Sequence, residues 1–248
     1  MDDQTVIIPP QSHITRIRAR PWRAVESQHQ VVTRKLVDSY EEHTVLEALL
    51  EQSKPPSNES SDLHYLLTTP FRYPPLRYGS RFGQRHQRGI WYGSQRISTV
   101  LSEVAYYRLR FIAGTSADLG AVTASFTLFQ TRIDSDRGID LCSPPYAQHQ
   151  KRWSDPASYR DSQAMGTAMR DAQVEMFRFT SARDPRGGAN YGLFSATAFI
   201  VNRPIASATW HSVSRHVGVE FRHSIDRISR WYPRELFCID GVLPLPGS

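Results

Sequence analysis

Residues 79–111 read GSRFGQRHQRGIWYGSQRISTVLSEVAYYRLRF, and this stretch is the most informative about the fold. From position 97 onward, apolar side chains recur every three or four residues, which predicts an amphipathic helix over residues 97–111. Directly before that helix, the apolar pair Trp91 and Tyr92 stands between glycines, as is typical of the end of a short strand. The stretch therefore predicts a strand that runs straight into a helix.

Three side chains in this stretch, Arg81, Tyr92 and Glu103, follow one another at intervals of eleven positions. Arginine suits bidentate contacts with phosphate, and tyrosine offers a flat ring with a hydroxyl group. A carboxylate can stabilise a developing positive charge. Together the three predict a site for an anionic, ring-bearing nucleotide, although each residue taken alone favours a structural role on the surface or in the core.

Strand and helix signals are mixed along the rest of the chain. Strands are predicted over residues 124–133 and 174–180, a helix over 156–174, a strand or short helix over 191–201 and a hairpin over 210–223. The intervening DPRGGAN, residues 184–190, has the composition of a hairpin turn and matches neither a P-loop nor a dinucleotide-binding glycine motif. These elements predict an α+β fold.

Before this region, residues 24–52 carry recurring apolar positions among charges, which predicts one or two amphipathic helices. The link SKPPSNESSD, residues 53–62, is rich in proline and serine and is the best boundary in the chain. We therefore predict an N-terminal helical extension and linker over residues 1–62 and a catalytic domain over 63–248. Its core spans about 63–205, and C-terminal strands follow over 206–248.

Composition limits the classes of function. The chain has 248 residues, 40% of them hydrophobic, and a formal charge of +6 that comes almost wholly from arginine. The positive residues are interleaved with acidic ones, so no polynucleotide-binding stripe is visible. Cys142 and Cys238 form no CxxC motif, which makes a metal site unexpected and leaves a disulfide open. With no signal sequence or membrane-length apolar run, we expect a cytoplasmic protein.

Several ordered motifs together resemble the RES-domain family, which is named after its arginine, glutamate and serine. The similarity extends over about residues 63–205 and includes YRDSQAMGTAMR, with Gln163, and SARDPRGGANYGLFSATAF. The matching positions are the entry motif Phe71, Arg72, Tyr73 and Pro74, followed by Arg81, Tyr92, Glu103 and Ser181. The resemblance implies an ADP-ribosyltransferase-like fold with a mixed β-sheet core.

The resemblance also implies an enzyme that breaks the nicotinamide N-glycosidic bond of NAD, by phosphorolysis or by hydrolysis, and acts as a toxin. Glu103, Arg81 and Tyr92 would be catalytic, while Arg72 and Ser181 would join Arg81 and Tyr92 in binding NAD. No cofactor is expected beyond NAD as substrate and inorganic phosphate as co-substrate.

Family resemblance further implies an inhibitory partner, such as a helix-turn-helix antitoxin, and the sequence is compatible with a homo-oligomer. Two alternatives stay open. One is an ADP-ribosyltransferase that modifies a protein, and the other is a non-catalytic basic module that binds nucleic acid.

Overall fold

The computed structural model describes residues 8–27, 39, 41, 42, 45, 46, 49, 62–73, 78–245 and 247. Within these residues ten strands form one sheet in the order β1-β5-β6-β7-β3-β2-β4-β8-β9-β10. The pair β5 and β6 is parallel and the other neighbouring pairs are antiparallel. The strands are β1 (Thr15–Ala19), β2 (Trp22–Glu26), β3 (Trp91–Ser94), β4 (Val122–Gln130), β5 (Ile133–Asp140), β6 (Met176–Thr180), β7 (Ala189–Leu193), β8 (Ala206–Arg215), β9 (Gly218–His223) and β10 (Ser229–Pro233).

Four α-helices of the described residues pack on this sheet: α1 (Tyr65–Arg72), α2 (Ile97–Ala113), α3 (Gln150–Trp153) and α4 (Arg160–Asp171). The mixed sheet with few helices confirms the α+β prediction. The helix predicted over residues 97–111 is α2, and the predicted hairpin over 210–223 is formed by β8 and β9. DPRGGAN connects the antiparallel strands β6 and β7, as its composition predicted.

Two core clusters lie on the same face of the sheet. Phe179 belongs to the first cluster, which includes buried residues of α3 and α4, and Leu128 belongs to the second, which lies under α2. Strand partners connect them: Phe179 pairs with Asn190, Asn190 with Ser94, Ser94 with Trp22, and Trp22 packs against the second cluster. Because directly opposed residues of antiparallel strands point to one face, all these side chains lie on that face.

A third cluster covers the opposite face of the sheet. It contains Trp91 of β3 and Leu193 of β7, together with Leu67 and Phe71 of α1. Successive side chains of a strand point to opposite faces, so Trp91 and its neighbour Tyr92 lie on opposite faces of the sheet. Tyr92 and Ser94 are directed to the face that carries the first two clusters. On this face, α2 contacts the β6–β7 turn.

The predicted N-terminal extension differs from the structure at its start. We predicted residues 1–62 as a helical extension with a linker, whereas β1 and β2 bring residues 15–26 into the central sheet. β2 lies between β3 and β4 and pairs with β4 over five residues. The prediction missed this strand because its order depends on neighbours distant in sequence, which local periodicity does not reveal.

Parts of the extension that we predicted as helical are helical where the structure describes them. Glu41, Glu42, Val45, Leu46 and Leu49 have helical conformation. The rest of the predicted helical segment after residue 27, and the linker apart from Asp62, lie outside the described residues. The domain boundary near residue 62 therefore stays a prediction.

Composition also led to expectations about the cysteines, membrane-spanning segments and metal sites. Cys142 and Cys238 are both free thiols. No helix in the described part of the chain is long and apolar enough to cross a membrane. Across the same residues, no group of three or more histidine, cysteine, aspartate or glutamate side chains could hold a metal ion.

Candidate active site

Glu103 is held by two side chains from different parts of the fold. Ser181 Oγ donates a hydrogen bond of 2.6 Å to Glu103 Oε1, and Asn190 Nδ2 donates one of 2.8 Å to the same oxygen. Glu103 lies on α2, Ser181 directly follows β6, and Asn190 lies within β7. Among the described residues, Oε2 accepts no hydrogen bond. The carboxylate is therefore oriented through one oxygen, and its other oxygen is available to a ligand.

Ser181 is oriented by the turn that it begins. Its own N–H donates to Gly188 O at 2.8 Å, and its Oγ accepts from the backbone N–H groups of Arg183 at 3.1 Å and Asp184 at 3.0 Å. A hydroxyl has one proton to donate, and with two N–H groups on its acceptor side that proton is directed to Glu103. Ser181 is 5% exposed. The sequence predicted a binding residue here, and the structure gives it contact with the predicted catalytic carboxylate.

Asn190 and Ser94 are functional candidates that sequence reasoning missed. They are opposed residues of β7 and β3, and Ser94 Oγ donates to Asn190 Oδ1 at 2.6 Å. Because a carboxylate only accepts hydrogen bonds, the NH₂ end of the Asn190 amide faces Glu103, and its oxygen is left to accept from Ser94. The available signal was a polar residue within the apolar strand after DPRGG, since a buried asparagine needs partners.

The same turn is attached to the first turn of α2. Thr99 Oγ1 donates to Asp184 Oδ2 at 2.8 Å, and the Asp184 side chain is buried. A Cβ at Gly188 would collide with Thr99 Oγ1 and Asp184 Oδ2, so only glycine allows this close approach. The helix that carries Glu103 and the turn that carries Ser181 are thus joined as one unit.

Arg81 lies on the loop before β3 and uses its donors on backbone carbonyls. Its Nη1 donates to Asp155 O at 2.7 Å and to Trp153 O at 3.3 Å, and its guanidinium lies 4.8 Å from the ring centroid of Tyr159. Such a contact with an aromatic face is attractive for a cation. Arg81 is therefore held by the segment between α3 and α4.

Gln163 of α4 organises the loop that carries Arg81. Its Nε2 donates to Tyr78 O at 3.0 Å and Ser80 O at 3.1 Å, with Gly83 O at 3.4 Å. One turn further along α4, a Cβ at Gly166 would overlap the backbone of the same loop. The glycine lets helix and loop approach closely, and the glutamine satisfies the carbonyls that this approach buries.

Tyr92 connects this loop to the sheet through its hydroxyl. The hydroxyl is 3.0 Å from Ser80 Oγ and accepts from Phe82 N–H at 3.1 Å, while the ring meets Phe179 edge-to-face at 6.1 Å. Burial raises the pKa of Tyr92 to about 12, and the two hydrogen bonds offset part of that rise. In this structure Tyr92 thus has a positioning role for the Arg81 loop.

Two tyrosines lie between the arginine and the glutamate. The hydroxyls of Tyr159, whose ring lies under Arg81, and Tyr107 are 3.5 Å apart, and Tyr107 follows Glu103 by one helical turn. Tyr107 is about half exposed. The pKa of Tyr107 is raised well above its usual value, mainly by burial and further by Tyr159 and the Glu103 carboxylate. Arg81, Tyr159, Tyr107 and Glu103 thus form one continuous group.

Arg72 is the predicted site residue that the structure does not bring into a described contact with this group. It is the last residue of α1, whose Leu67 and Phe71 pack in the cluster on the opposite face of the sheet. Its role in binding therefore stays a prediction.

Two surface depressions contain none of the predicted site residues. The larger, about 510 Å³, is lined in part by Arg137, Arg170, Glu175 and Phe194, and the smaller, about 170 Å³, by residues around Arg132. In the larger one, Arg137 already donates to the carbonyls of residues 172 and 173, and Glu175 accepts from Ser135 and Thr197. Since Arg137 and Glu175 are already bonded to other groups of the protein, we place the candidate site at Glu103.

The fold and site define an α+β protein that holds a carboxylate between an arginine loop and a serine turn. The family model for the RES domain matches residues 59–213, and the chain belongs to that family. Among solved structures, a chain of the M. tuberculosis MbcT–MbcA toxin–antitoxin complex is similar, with a TM-score of 0.47 and 13% sequence identity over 80% of this chain and 88% of that one. No curated protein sequence matched the chain.

Proposed function

We propose that this protein is an NAD-degrading enzyme that cleaves the N-glycosidic bond between nicotinamide and ribose. The observation that carries the proposal is the Glu103 carboxylate, oriented through Oε1 by Ser181 and Asn190 while Oε2 takes no hydrogen bond from a described residue. A carboxylate oriented before the reaction is suited to stabilise positive charge, because the protein does not have to reorganise as the charge develops. Membership of the RES-domain family supports the same chemistry.

In this reaction the bond between the ribose anomeric carbon and the nicotinamide ring nitrogen breaks. Its electron pair goes to that nitrogen, so the positively charged pyridinium leaves as neutral nicotinamide. The ribose becomes oxocarbenium-like, as in glycoside hydrolysis. Glu103 Oε2 would hold a ribose hydroxyl and stabilise this positive charge, while Ser181 and Asn190 keep the carboxylate in place.

Arg81 is the arginine of the site best placed to bind the pyrophosphate. Guanidinium groups bind phosphate through a planar fork of donors. Arg81 now donates to the carbonyls of Trp153 and Asp155, so a phosphate group would have to compete with them. Arg72 would be the second pyrophosphate ligand implied by the family motif.

Either phosphate or water would complete the reaction at the anomeric carbon. Attack by a phosphate oxygen forms a new C–O bond and yields ADP-ribose 1''-phosphate. Attack by water forms ADP-ribose and releases one proton. We favour phosphate because Arg81 supplies a guanidinium that can bind a phosphate group. We also propose that loss of NAD makes the protein a toxin whose activity is restrained by an inhibitory protein partner such as an antitoxin.

The proposal is tested by incubating the purified protein with NAD, with and without inorganic phosphate, and measuring nicotinamide and ADP-ribose products by chromatography. We expect nicotinamide release that requires phosphate, a loss of release in Glu103→Gln and a partial loss in Ser181→Ala. Glu220→Gln is a matched control, because Glu220 also accepts a serine hydrogen bond but lies on β9.

Release without phosphate would indicate hydrolysis. Labelled ADP-ribose on added proteins would indicate the transferase alternative. NAD that stays intact under all these conditions would contradict the proposal.

A further inference from the structure

Arg183 is a buried arginine whose terminal nitrogens have no hydrogen-bond partner among the described residues. It is 3% exposed, and neither Nη1 nor Nη2 is bonded to any of these residues. Its guanidinium carbon lies 3.5 Å from the ring centroid of Tyr106, one turn of α2 beyond Glu103. A charged group buried without partners is costly, and aromatic stacking offsets only part of that cost.

The backbone of Arg183 is tied to the active-site turn. Its N–H donates to Ser181 Oγ, and its carbonyl accepts from Ser102 Oγ of α2 at 2.5 Å. The side chain therefore starts two residues after Ser181 and reaches the ring of Tyr106 on α2. Such a costly placement near the oriented carboxylate favours a role in ligand binding, because an anion would supply the hydrogen-bond acceptors that the guanidinium lacks.

Leu243 and Pro244 contact side chains of α2 beside this arginine. Tyr106 donates its hydroxyl proton to Pro244 O at 2.7 Å, and Arg110 Nη1 donates to Leu243 O at 3.4 Å. Gly247 lies against the ring of Tyr159, the residue that stacks with Arg81. Pro244 thus contacts the tyrosine that stacks on Arg183, and Gly247 contacts the tyrosine that stacks on Arg81.

Arg108 provides a comparison, because its guanidinium has both an aromatic contact and polar partners within the protein. Arg108, also on α2, lies 5.5 Å from the ring centroid of Phe111, but it donates to Ser214 Oγ at 3.4 Å and pairs with Glu26 at 3.6 Å. Arg183 has the aromatic contact without the polar ones. The polar partners of Arg108 are typical of a structural arginine, whereas the unpaired terminal nitrogens of Arg183 favour a role in binding.

We propose that Arg183 binds a phosphate group and that Leu243 and Pro244, the covering segment, close off this binding position until they are displaced. The proposal deepens the proposed function and rests on it, because the phosphate would come either from free inorganic phosphate or from the pyrophosphate of NAD. Binding would bring an anionic group next to the Ser181 turn and therefore next to Glu103.

The test compares Arg183→Met, Arg183→Lys and the matched control Arg108→Met in the full-length protein. Affinity for inorganic phosphate and for ADP-ribose is measured by calorimetry, and Tm is measured without either ligand. We expect Arg183→Met to lose about ten- to a hundredfold in affinity for one of these two ligands, which identifies the source of the phosphate. Arg183→Lys should lose less, because it keeps the charge.

Stability distinguishes binding from a structural role. A methionine removes the buried charge, so Arg183→Met should have a Tm equal to or above that of the wild type, whereas Arg108→Met should have a lower one. A Tm of Arg183→Met as low as that of Arg108→Met would show a structural role and overturn the proposal. Unchanged affinity for both ligands would overturn it as well.

Tyr106→Phe tests the covering segment separately. This variant keeps the ring under Arg183 but removes the bond to Pro244, so displacement of the segment should become easier. We expect phosphate or ADP-ribose to bind about two- to tenfold more tightly. Equal or weaker binding would contradict the covering role.

Failure of this inference can be told apart from failure of the proposed function. If NAD is cleaved and Arg183→Met shows the same dependence on phosphate and on NAD, Arg183 is not a ligand and the function stands. If NAD stays intact but phosphate binding depends on Arg183, the binding position stands and the proposed reaction fails.

Discussion

The carboxylate half and the arginine half of the site are held in different ways. Glu103 is oriented by side chains of Ser181 and Asn190, which belong to or adjoin central strands. Arg81 lies on a loop and is held by two backbone carbonyls and the ring of Tyr159. The carboxylate of Glu103, which would act on the ribose, is therefore fixed by the sheet. The guanidinium of Arg81, which would bind phosphate, can exchange its backbone carbonyls for a phosphate group.

The largest expected effect is on the carboxylate half. Glu103→Gln should lower kcat for NAD cleavage by about a thousandfold and leave KM nearly unchanged, because the charge acts on the transition state more than on bound NAD. Steady-state kinetics of nicotinamide release measures both constants. A rise in KM with a normal kcat would contradict the difference between the two halves, since Glu103 would then be a binding residue.

The arginine half should show the opposite pattern. Arg81→Ala should raise KM by about ten- to a hundredfold with a smaller change in kcat, because a hydrogen bond to a charged group is lost on substrate binding. Arg85→Ala is the control, since Arg85 is an exposed arginine four residues later. If Arg81→Ala changes only kcat, the arginine acts in the transition state and the two halves do not differ in the way proposed.

A smaller effect is expected when the support of the arginine loop is removed. Gln163→Leu removes the hydrogen bonds that the Gln163 amide donates to the carbonyls of Tyr78 and Ser80, which should lower the free energy of unfolding by about 1–3 kcal/mol. Urea unfolding measures this change, and KM should rise in the same variant. Gln148→Leu, at an exposed position, should change neither quantity. Equal effects of the two substitutions would show that Gln163 does not support the loop.

The last expected effect concerns Tyr92→Phe and is a change in how stability depends on pH above 10. A tyrosine in the unfolded chain loses its proton near pH 10, whereas the pKa of Tyr92 in the folded protein is about 12. Between these values only the unfolded state releases the proton, so stability falls as the pH rises from 10 to 12 and is unaffected below 10.

Tyr92 should contribute about 2–3 kcal/mol to that fall, and Tyr92→Phe should lack this contribution. Unfolding free energies measured at pH 8, 10 and 12 test it, with exposed Tyr65→Phe as the control. Identical pH dependence in the wild type and in Tyr92→Phe would mean that the hydroxyl is not buried under the arginine loop.

Local sequence patterns were sufficient for most of the elements around the site. The spacing of apolar residues predicted α2, alternation predicted β4 and β6, and the glycines of DPRGGAN predicted the β6–β7 turn. They failed for β1 and β2. The short strand β2 lies in the middle of the sheet, and its pairing with β3 and β4 depends on residues about 70 and 100 positions away.

The sequence alone identified the RES-domain family through ordered motifs, and it predicted Arg81, Tyr92, Glu103 and Ser181 as site residues. Only the tertiary structure decided how they are arranged. It placed Asn190 and Ser94 beside Glu103, set Tyr92 against the arginine loop and buried Arg183 on Tyr106. The physical reason is that local periodicity depends on near neighbours along the chain, whereas a hydrogen bond between α2 and β7 exists only after the sheet has brought residues 87 positions apart into contact.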